Sequence, residues 1–232
     1  MLRAILFDFN GVLVDDEPIH LELFQKVLNE EGLELGREDY YAHYLGFDDR
    51  GCFQAVLEAA GEAATPDRLS RLIVRKSSYY QAHIKEHGFP TYPGAVELVT
   101  EAAEGGLMLG VVSGALRDEV EGALLQWRVR ALFKTLVTAE DVKEGKPNPE
   151  GYRRALENLN ALPPLPSRLI HPHEVLAVED SAAGLSAAAA CALCTLGVAQ
   201  TYPASELSAA DRTVESIAGL TLSRLRALFA GE

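Results

Sequence analysis

The chain has 232 residues, of which 48% are hydrophobic and 24% charged, so it can bury a core of ordinary size. Its formal net charge of -13 argues against nucleic acid as a partner, because binding a polyanion requires clustered Lys and Arg. No stretch is apolar for long enough to cross a bilayer, and Asp8 interrupts the place of an export signal. With three cysteines, an odd number, the sequence predicts a cytoplasmic protein with reduced thiols and no membrane partner.

The first stretch of the chain, Ala4 to Phe7, predicts a buried strand that ends in a polar loop. Asp8, Asn10 and Gly11 lie in that loop. In open parallel α/β sheets ligands bind at the carboxyl ends of the strands, so these residues are candidates for a functional site. A carboxylate followed by a glycine is also an ordinary turn, and only later parts of the chain decide between the two interpretations.

The segment from residue 16 to residue 88 predicts a block of helices. Apolar residues at helical spacing occur in Pro18 to Glu30, Gly51 to Ala60 and Pro66 to Gly88. We find no strand-like alternation in this segment. The sequence therefore predicts a helical domain, residues 16–88, inserted into a core formed by residues 1–15 and 89–232.

From Pro90 onward the pattern alternates between helix and strand, as in parallel βαβ units. Helices are predicted at residues 95–103, 119–127, 152–159, 182–192 and 222–229. Strands are predicted at residues 107–112, 135–138, 175–178 and 194–198, and the one at 194–198 is predicted to be the last strand of the chain. The fold class predicted is α/β, a Rossmann-like parallel sheet with helices on both faces and an inserted α-helical domain.

Polar groups follow three of the predicted strands, and a lysine loop precedes the third. They are Asp8 with Asn10, Ser113 with Gly114, Glu179 with Asp180, and the loop Gly145-Lys146-Pro147. Each has a plain alternative: Ser113 or the run Glu179 to Ser181 could cap a helix, and Lys146 could be an exposed loop lysine. Because strand ends meet at one edge of a doubly wound sheet, chance explains the combination poorly.

These stretches resemble the motifs of the haloacid dehalogenase-like hydrolases, in the branch that carries a helical cap and includes β-phosphoglucomutase and phosphoglycolate phosphatase. Four motifs match in order and span nearly the whole chain. They are Asp8-Phe-Asn10-Gly-Val, Val111-Val-Ser113-Gly114, Gly145-Lys146-Pro147-Asn-Pro-Glu150 and Val178-Glu179-Asp180-Ser181-Ala-Ala-Gly184.

The resemblance implies a phosphatase of small phosphorylated metabolites that depends on Mg²⁺. Asp8 would attack phosphorus and form an aspartyl phosphate. Mg²⁺ would be held by the side chains of Asp8 and Asp180 and by the backbone carbonyl of Asn10, with Glu179 nearby or acting through water. The phosphoryl oxygens would be bound by Ser113, the Gly114 N–H and Lys146. The inserted helices would form a cap that closes over the substrate.

Asn10 departs from the family pattern, which has a second aspartate there as general acid and base. An amide neither gives nor takes a proton near neutral pH, so a loss of about 10²–10⁴-fold in rate is expected. Three explanations remain open. Another group, such as His20 or Glu17, shuttles the proton; the chain is an engineered variant; or it is a weakly active homologue that binds phosphate ligands.

A sugar-phosphate mutase similar to β-phosphoglucomutase is the alternative activity. His20 and Gly46 match that pattern. Leu45 stands where a mutase-like cap would need a cation for a second phosphate. Arg50 and Lys76 are the cations that could take its place, so His20, Arg50 and Lys76 are the candidate substrate residues of the cap.

Overall fold

The computed structural model describes residues 1–230 and shows one six-stranded sheet with the strand order β3-β2-β1-β4-β5-β6. All neighbouring strands are parallel, which confirms the predicted α/β class. The strands are β1 (Ala4–Phe7), β2 (Met108–Val112), β3 (Phe133–Val137), β4 (Val175–Glu179), β5 (Cys194–Val198) and β6 (Arg212–Val214).

The prediction that the strand at residues 194–198 is the last of the chain is wrong, because β6 follows it and pairs with β5. This edge strand has three residues, Arg212 and Thr213 exposed and Val214 half-buried. Such a segment is too short to show period-two alternation, and its position at the edge requires little burial.

Two compact units make up the chain. Residues 1–15 and those from Phe89 onward form one, here called the core unit, and residues 16–88 form the other, here called the helical unit. The helical unit contains α1 (Glu17–Glu30), α2 (Arg37–Asp39), a π-helical turn (Tyr40–Tyr44), α3 (Asp49–Ala59) and α4 (Pro66–His87). It has an apolar cluster of its own, which includes Phe24, Phe53 and Leu72.

The core unit adds the helices α5 (Ala95–Glu104), α6 (Arg117–Gln126), α7 (Glu150–Ala161), α8 (Ala182–Ala189) and α9 (Leu222–Ala230). Alternate residues of β1 belong to different apolar clusters: Ile5 and Phe7 to one, Ala4 and Leu6 to the other. Since successive side chains of a strand point to opposite faces, the sheet is buried on both faces. β1 is therefore a central strand buried on both faces, and a polar group at its end lies beside two neighbouring strands.

The chain leaves the core unit and returns to it at adjacent points. The carbonyl of Leu13 accepts hydrogen bonds from the backbone N–H of Tyr92, at 3.2 Å, and from Oγ1 of Thr91, at 3.1 Å. The helical unit is thus an insertion at one site of the core unit. Within residues 1–230, no helix combines the length and apolarity that crossing a membrane requires.

Candidate active site

Asp8 lies directly after β1, at the centre of the carboxyl edge of the sheet. Its backbone N–H donates to the carbonyl of Val178, at 2.9 Å, so the strand pairing continues up to this residue. β2 and β4 flank β1. The topology therefore brings the residues that follow β2, Ser113 and Gly114, and the end of β4 to either side of Asp8.

Lys146 bridges two carboxylates at this edge. Its Nζ lies 2.7 Å from Oδ1 of Asp8 and 2.7 Å from Oε1 of Glu179, and its side chain is 17% exposed. Burial lowers the pKa of Lys146, but the charges of Asp8 and Glu179 outweigh it and hold that pKa above its ordinary value. Lys146 is therefore a fixed cation of the site, and the alternative of an exposed loop lysine does not hold.

Glu179 and Asp180 are buried acids at the end of β4. Burial and the nearby charge of Asp8 raise the pKa of Glu179 well above its ordinary range and that of Asp180 to about 7. The hydroxyl of the buried Tyr152 donates to Oε1 of Glu179, the oxygen that also contacts Lys146. Burial raises such a pKa because it disfavours the charged form, so a nearby cation would lower both.

Two glycines leave room for these carboxylates. A Cβ on Gly11 would lie 1.8 Å from Oδ2 of Asp180, and one on Gly184 would lie 2.0 Å from Oε2 of Glu179. Gly11 also has a φ of +73°, which favours glycine. The loop after β1 and the first turn of α8 therefore contact the acids more closely than any larger residue would allow.

The three acids fit a hard divalent cation. Asp8, Glu179 and Asp180 each offer an oxygen, and these atoms lie within 4.8 Å of one another. Oε2 of Glu179 is buried without a hydrogen-bond partner among the described residues. Oxygen ligands are those that Mg²⁺ prefers, and one lysine would leave two of three ionised acids without a counter-charge. These residues could therefore hold a metal ion.

The alternative interpretation as helix caps does not hold for Ser113 and holds for Ser181. The N-cap of α6 is Leu116, while Oγ of Ser113 accepts the N–H of Ala115, at 2.9 Å. Ser113 thus shapes the loop after β2 and keeps its own proton for donation. Ser181 does cap α8, accepting from the Gly184 N–H, at 3.2 Å. Glu179 and Asp180 are not needed for that cap.

Asn10 lies two residues beyond Asp8 and is half-buried. It forms an isolated bridge with Val14, which holds the loop after β1 in a tight turn. Its side chain is a carboxamide, so the chemical expectation is unchanged: it can form hydrogen bonds but cannot exchange a proton near neutral pH.

Lys76 and His20 lie together inside the helical unit. Nζ of Lys76 is 2.5 Å from Oδ1 of Asp49, 2.8 Å from Nδ1 of His20 and 4.1 Å from the ring centre of Phe24, and the residue is 1% exposed. Because an ammonium group only donates, Nδ1 of His20 accepts and Nε2 carries the proton. That nitrogen faces Oδ2 of Asp16, at 3.3 Å.

The other candidates of the helical unit, Glu17 and Arg50, differ from this pair in their contacts and exposure. Glu17, the second possible proton shuttle, accepts a hydrogen bond from the hydroxyl of Tyr40, at 2.5 Å. Arg50 is exposed in the first turn of α3. Glu17 and both ring nitrogens of His20 are thus engaged within the helical unit, and their roles toward substrate remain predictions.

Sequence reasoning assigned no role to three residues around the acids, Tyr152, Gly11 and Gly184, or to Asp49 beside Lys76 in the helical unit. Both glycines lie inside the quoted motifs, where a glycine beside an acid indicates close approach. For Tyr152, the sequence indicates an aromatic residue on the buried side of a helix and nothing about a contact with the acids. The pairing of Asp49 with Lys76 links positions 27 apart, and no local pattern indicates it.

A cavity of about 260 Å³ lies at the opposite edge of the sheet, by the starts of β5 and β6 and the end of α9. Its polar groups satisfy one another: Oδ2 of Asp211 accepts from the Thr195 N–H, at 2.8 Å, and Thr195 Oγ1 accepts from the Asp211 N–H, at 2.9 Å. The candidate chemistry is at the carboxyl edge, away from this cavity.

Known proteins are similar to this chain in sequence and in fold. The chain is 27% identical over 223 residues to validoxylamine A 7'-phosphate phosphatase of Streptomyces hygroscopicus subsp. limoneus, covering 91% of this chain and 92% of that protein. CbbY of Rhodobacter sphaeroides, solved in complex with phosphate, is 26% identical with a TM-score of 0.78, covering 97% and 100% of the two chains.

A variant of the same CbbY, with an aspartate replaced by asparagine, was solved in complex with xylulose-1,5-bisphosphate; it is 27% identical with a TM-score of 0.78, covering 97% of this chain and 99% of that one. β-Phosphoglucomutase of Clostridium difficile, at 20% identity and a TM-score of 0.78, covers 100% and 98% and shares the fold. The sequence profile of the haloacid dehalogenase-like hydrolases matches residues 5–198, most of the chain. The chain therefore belongs to the haloacid dehalogenase-like hydrolases.

Proposed function

We propose that this hydrolase is a Mg²⁺-dependent phosphatase of small phosphorylated metabolites that acts through an aspartyl phosphate on Asp8. The observation that carries the proposal is the contact of Lys146 with both Asp8 and Glu179, at 2.7 Å each, beside the buried Asp180. An oriented carboxylate, a fixed cation and a set of oxygen ligands at one strand edge are the parts that phosphoryl transfer requires.

Asp8 is the nucleophile in this proposal. One carboxylate oxygen attacks phosphorus, the bond to the leaving oxygen breaks, and water later cleaves the aspartyl phosphate. Lys146, the hydroxyl of Ser113 and the N–H of Gly114 bind the phosphoryl oxygens and stabilise the charge that develops on them. The exposed Gly114 has nothing within 4 Å of the position of a Cβ, so its backbone is open to a ligand.

Mg²⁺ would be held by the side chains of Asp8 and Asp180 and the backbone carbonyl of Asn10, with Glu179 adjacent. When bound, the ion neutralises charge between the nucleophile and the phosphoryl group. Burial and the charge of Asp8 raise the pKa of Glu179 and Asp180, and a bound cation would relieve this repulsion, which supports a resident metal rather than an incidental one.

A phosphatase is favoured over a mutase by the helical unit. A mutase must also bind a second phosphate, for which Leu45 offers no cation. The charge of Lys76 is compensated by Asp49 at 2.5 Å and by the ring of Phe24, so this lysine is a poor candidate. Arg50, which is exposed, is the remaining cation among the predicted substrate residues.

Asn10 favours a second candidate, a protein that binds phosphate ligands and turns them over slowly. The general acid and base is replaced, while Asp8, Lys146 and Asp180 remain in place. The CbbY variant with asparagine in place of an aspartate was solved in complex with a bisphosphate, so an aspartate-to-asparagine exchange in a relative is compatible with ligand binding.

The test is release of inorganic phosphate from a panel of metabolite phosphates, with Mg²⁺ and with a chelator. We expect Mg²⁺-dependent release that is abolished in Asp8→Ala and in Asp180→Ala, and Mg²⁺ binding that is lost in Asp180→Ala. Binding of the phosphates without release would support the second candidate. Interconversion of sugar-phosphate isomers would support the mutase, and wild-type Mg²⁺ affinity in Asp180→Ala would refute the metal site.

A further inference from the structure

The hydroxyl of Tyr152 has a partner that explains its presence in the core. Tyr152 is the third residue of α7 and is fully buried among the apolar residues between α7, α8 and the sheet. A phenylalanine would fill the same space without a polar atom, and a buried hydroxyl costs free energy unless it is paired. Its hydroxyl donates to Oε1 of Glu179.

Glu179 needs such a partner because it is a carboxylate with no exposed surface. Oε1 has two donors, Tyr152 and Lys146, whereas Oε2 has none among the described residues. Donors on one oxygen fix the rotation of the carboxylate, and rotation decides where the other oxygen lies. A Cβ on Gly184 would come within 2.0 Å of Oε2, so space near this oxygen is limited.

The two donors differ in what they do during the proposed reaction. Lys146 is shared between Glu179 and Asp8, and Asp8 is the residue that becomes phosphorylated. Once a phosphoryl group is present, Lys146 must also bind the phosphoryl oxygens. Tyr152 does not bind the phosphoryl group in this proposal, since its ring is packed in the core and its hydroxyl donates to Glu179.

We propose that Tyr152 is a positioning residue of the metal site, which holds the Glu179 carboxylate in its metal-binding orientation through the Tyr152 hydroxyl while Lys146 engages the phosphoryl group. This inference rests on the proposed function, because it assumes that Glu179 contributes to a Mg²⁺ site. Partners that orient metal-binding groups commonly matter about 10–100-fold in metal affinity.

The experiment compares Mg²⁺ affinity in the full-length protein by calorimetry. Tyr152→Phe should weaken Mg²⁺ binding about 10–100-fold. The matched control is Tyr40→Phe in the helical unit, which also removes a buried hydroxyl bonded to a carboxylate, that of Glu17. It should leave the Mg²⁺ affinity unchanged, so that a general loss of stability is not mistaken for an effect on the site.

A double variant tests whether Tyr152 acts through Glu179. In the Glu179→Gln background, adding Tyr152→Phe should have no further effect on Mg²⁺ affinity, because the oriented carboxylate is already gone. Wild-type affinity in Tyr152→Phe, or the same weakening in both backgrounds, would overturn the proposal and leave the proposed function standing. If the unsubstituted protein neither binds Mg²⁺ nor releases phosphate, the proposed function fails, and this inference with it.

A measurement on the unsubstituted protein removes any dependence on how well Tyr152→Phe folds. The Tyr152 hydroxyl proton, shielded from solvent and bonded to a carboxylate, should give an NMR signal with contacts to its own ring. Its chemical shift should change as Mg²⁺ is titrated, since the acceptor carboxylate gains a cation. A shift that stays constant through saturation contradicts the proposal.

Discussion

At the residue scale, the amide of Asn10 is expected to limit the rate of the proposed reaction. Asn10 lies two residues from Asp8, in a loop shaped by Gly11 and a bridge to Val14. Both ring nitrogens of His20 and Oε1 of Glu17, the alternative proton shuttles, have partners within the helical unit, so a role in proton transfer would require these contacts to change. The expected defect is therefore in proton transfer, with the nucleophile and phosphate ligands intact.

We expect Asn10→Asp to raise turnover by about 10²–10⁴-fold on alkyl phosphates. The gain should be smaller on aryl or acyl phosphates, since their leaving oxygens are weak bases that need little protonation. The measurement is the ratio of turnover between variant and unsubstituted protein on one alkyl and one aryl phosphate. Asn29→Asp, which adds the same charge at an exposed position of α1, is the control and should show no gain.

The lifetime of the aspartyl phosphate offers a second measurement of the same defect. Without the base, hydrolysis of the aspartyl phosphate also slows, so phosphorylated Asp8 should be detectable by mass spectrometry after addition of an acyl phosphate. Equal turnover in Asn10→Asp and the unsubstituted protein on both substrates would mean that another group already transfers the proton.

At the scale of elements, the first turn of α8 is shaped to receive an acid. Ser181 caps the helix, and Gly184 faces Glu179. Alanine is better than glycine in a helix by about 1 kcal/mol, which favours replacement of Gly184. Against this stands a Cβ 2.0 Å from a fully buried carboxylate oxygen, which must move.

The steric clash should outweigh the better helix propensity of alanine. We expect Gly184→Ala to lower the free energy of unfolding by about 1–3 kcal/mol, as overpacking does, and to weaken Mg²⁺ binding. Urea denaturation and calorimetry measure the two effects. Ser186→Ala, an exposed position in the same helix, is the control, and it should preserve both quantities. Unchanged Mg²⁺ affinity in Gly184→Ala would show that Glu179 is free to reorient.

The turn before β4 is held by an acid whose ionisation should matter for stability. Hydrogen bonds from Arg168 and the His171 N–H lower the pKa of Glu174 from 4.5 to about 2. Because the folded protein then binds fewer protons than the unfolded chain, stability is present above pH 4.5 and is lost as the pH falls toward 2.

Urea denaturation at a series of pH values measures this contribution. Glu174→Gln should be less stable than the unsubstituted protein at neutral pH, and the difference should shrink as the pH falls below 4.5. The control is Glu157→Gln on the exposed side of α7. A difference that stays constant with pH would mean that the Glu174 interaction does not depend on its charge.

The elements and the site were predictable from the sequence to different degrees. β1, β2 and β4 are short apolar runs that end in polar residues, so pattern alone indicates them and the edge where they meet. β6 has no apolar pattern. Tyr152 and the pair Lys76–Asp49 depend on contacts between distant residues, and those contacts arise only when α7 packs on the sheet or α3 and α4 pack together.

At the scale of the whole molecule, the chain consists of two units with separate apolar cores. The described side chains of the proposed metal site, Asp8, Glu179 and Asp180, all belong to the core unit. The family resemblance implies that the helical unit selects the leaving group. Metal binding and substrate selection would then be separable. The cytoplasmic location remains a prediction from the sequence alone.

Excision of the helical unit tests that separation. Residues 16–88 would be replaced by a short Gly-Ser linker, which is feasible because Leu13 and Tyr92 are hydrogen-bonded to each other through their backbones at 3.2 Å. Closing such a short loop costs little chain entropy. We expect the shortened protein to fold and to bind Mg²⁺ with an affinity near that of the full chain, since the apolar clusters on both sheet faces are retained.

Its activity should change in selectivity. Without the helical unit, hydrolysis of a small aryl phosphate should persist, while discrimination among metabolite phosphates should fall, because no leaving-group contacts remain outside the core unit. Phosphate release across the substrate panel measures this, with Asp180→Ala in the shortened protein as the inactive control. Loss of Mg²⁺ binding in a folded shortened protein would show that the helical unit contributes to the metal site itself. An unchanged substrate profile would show that selection resides in the core unit.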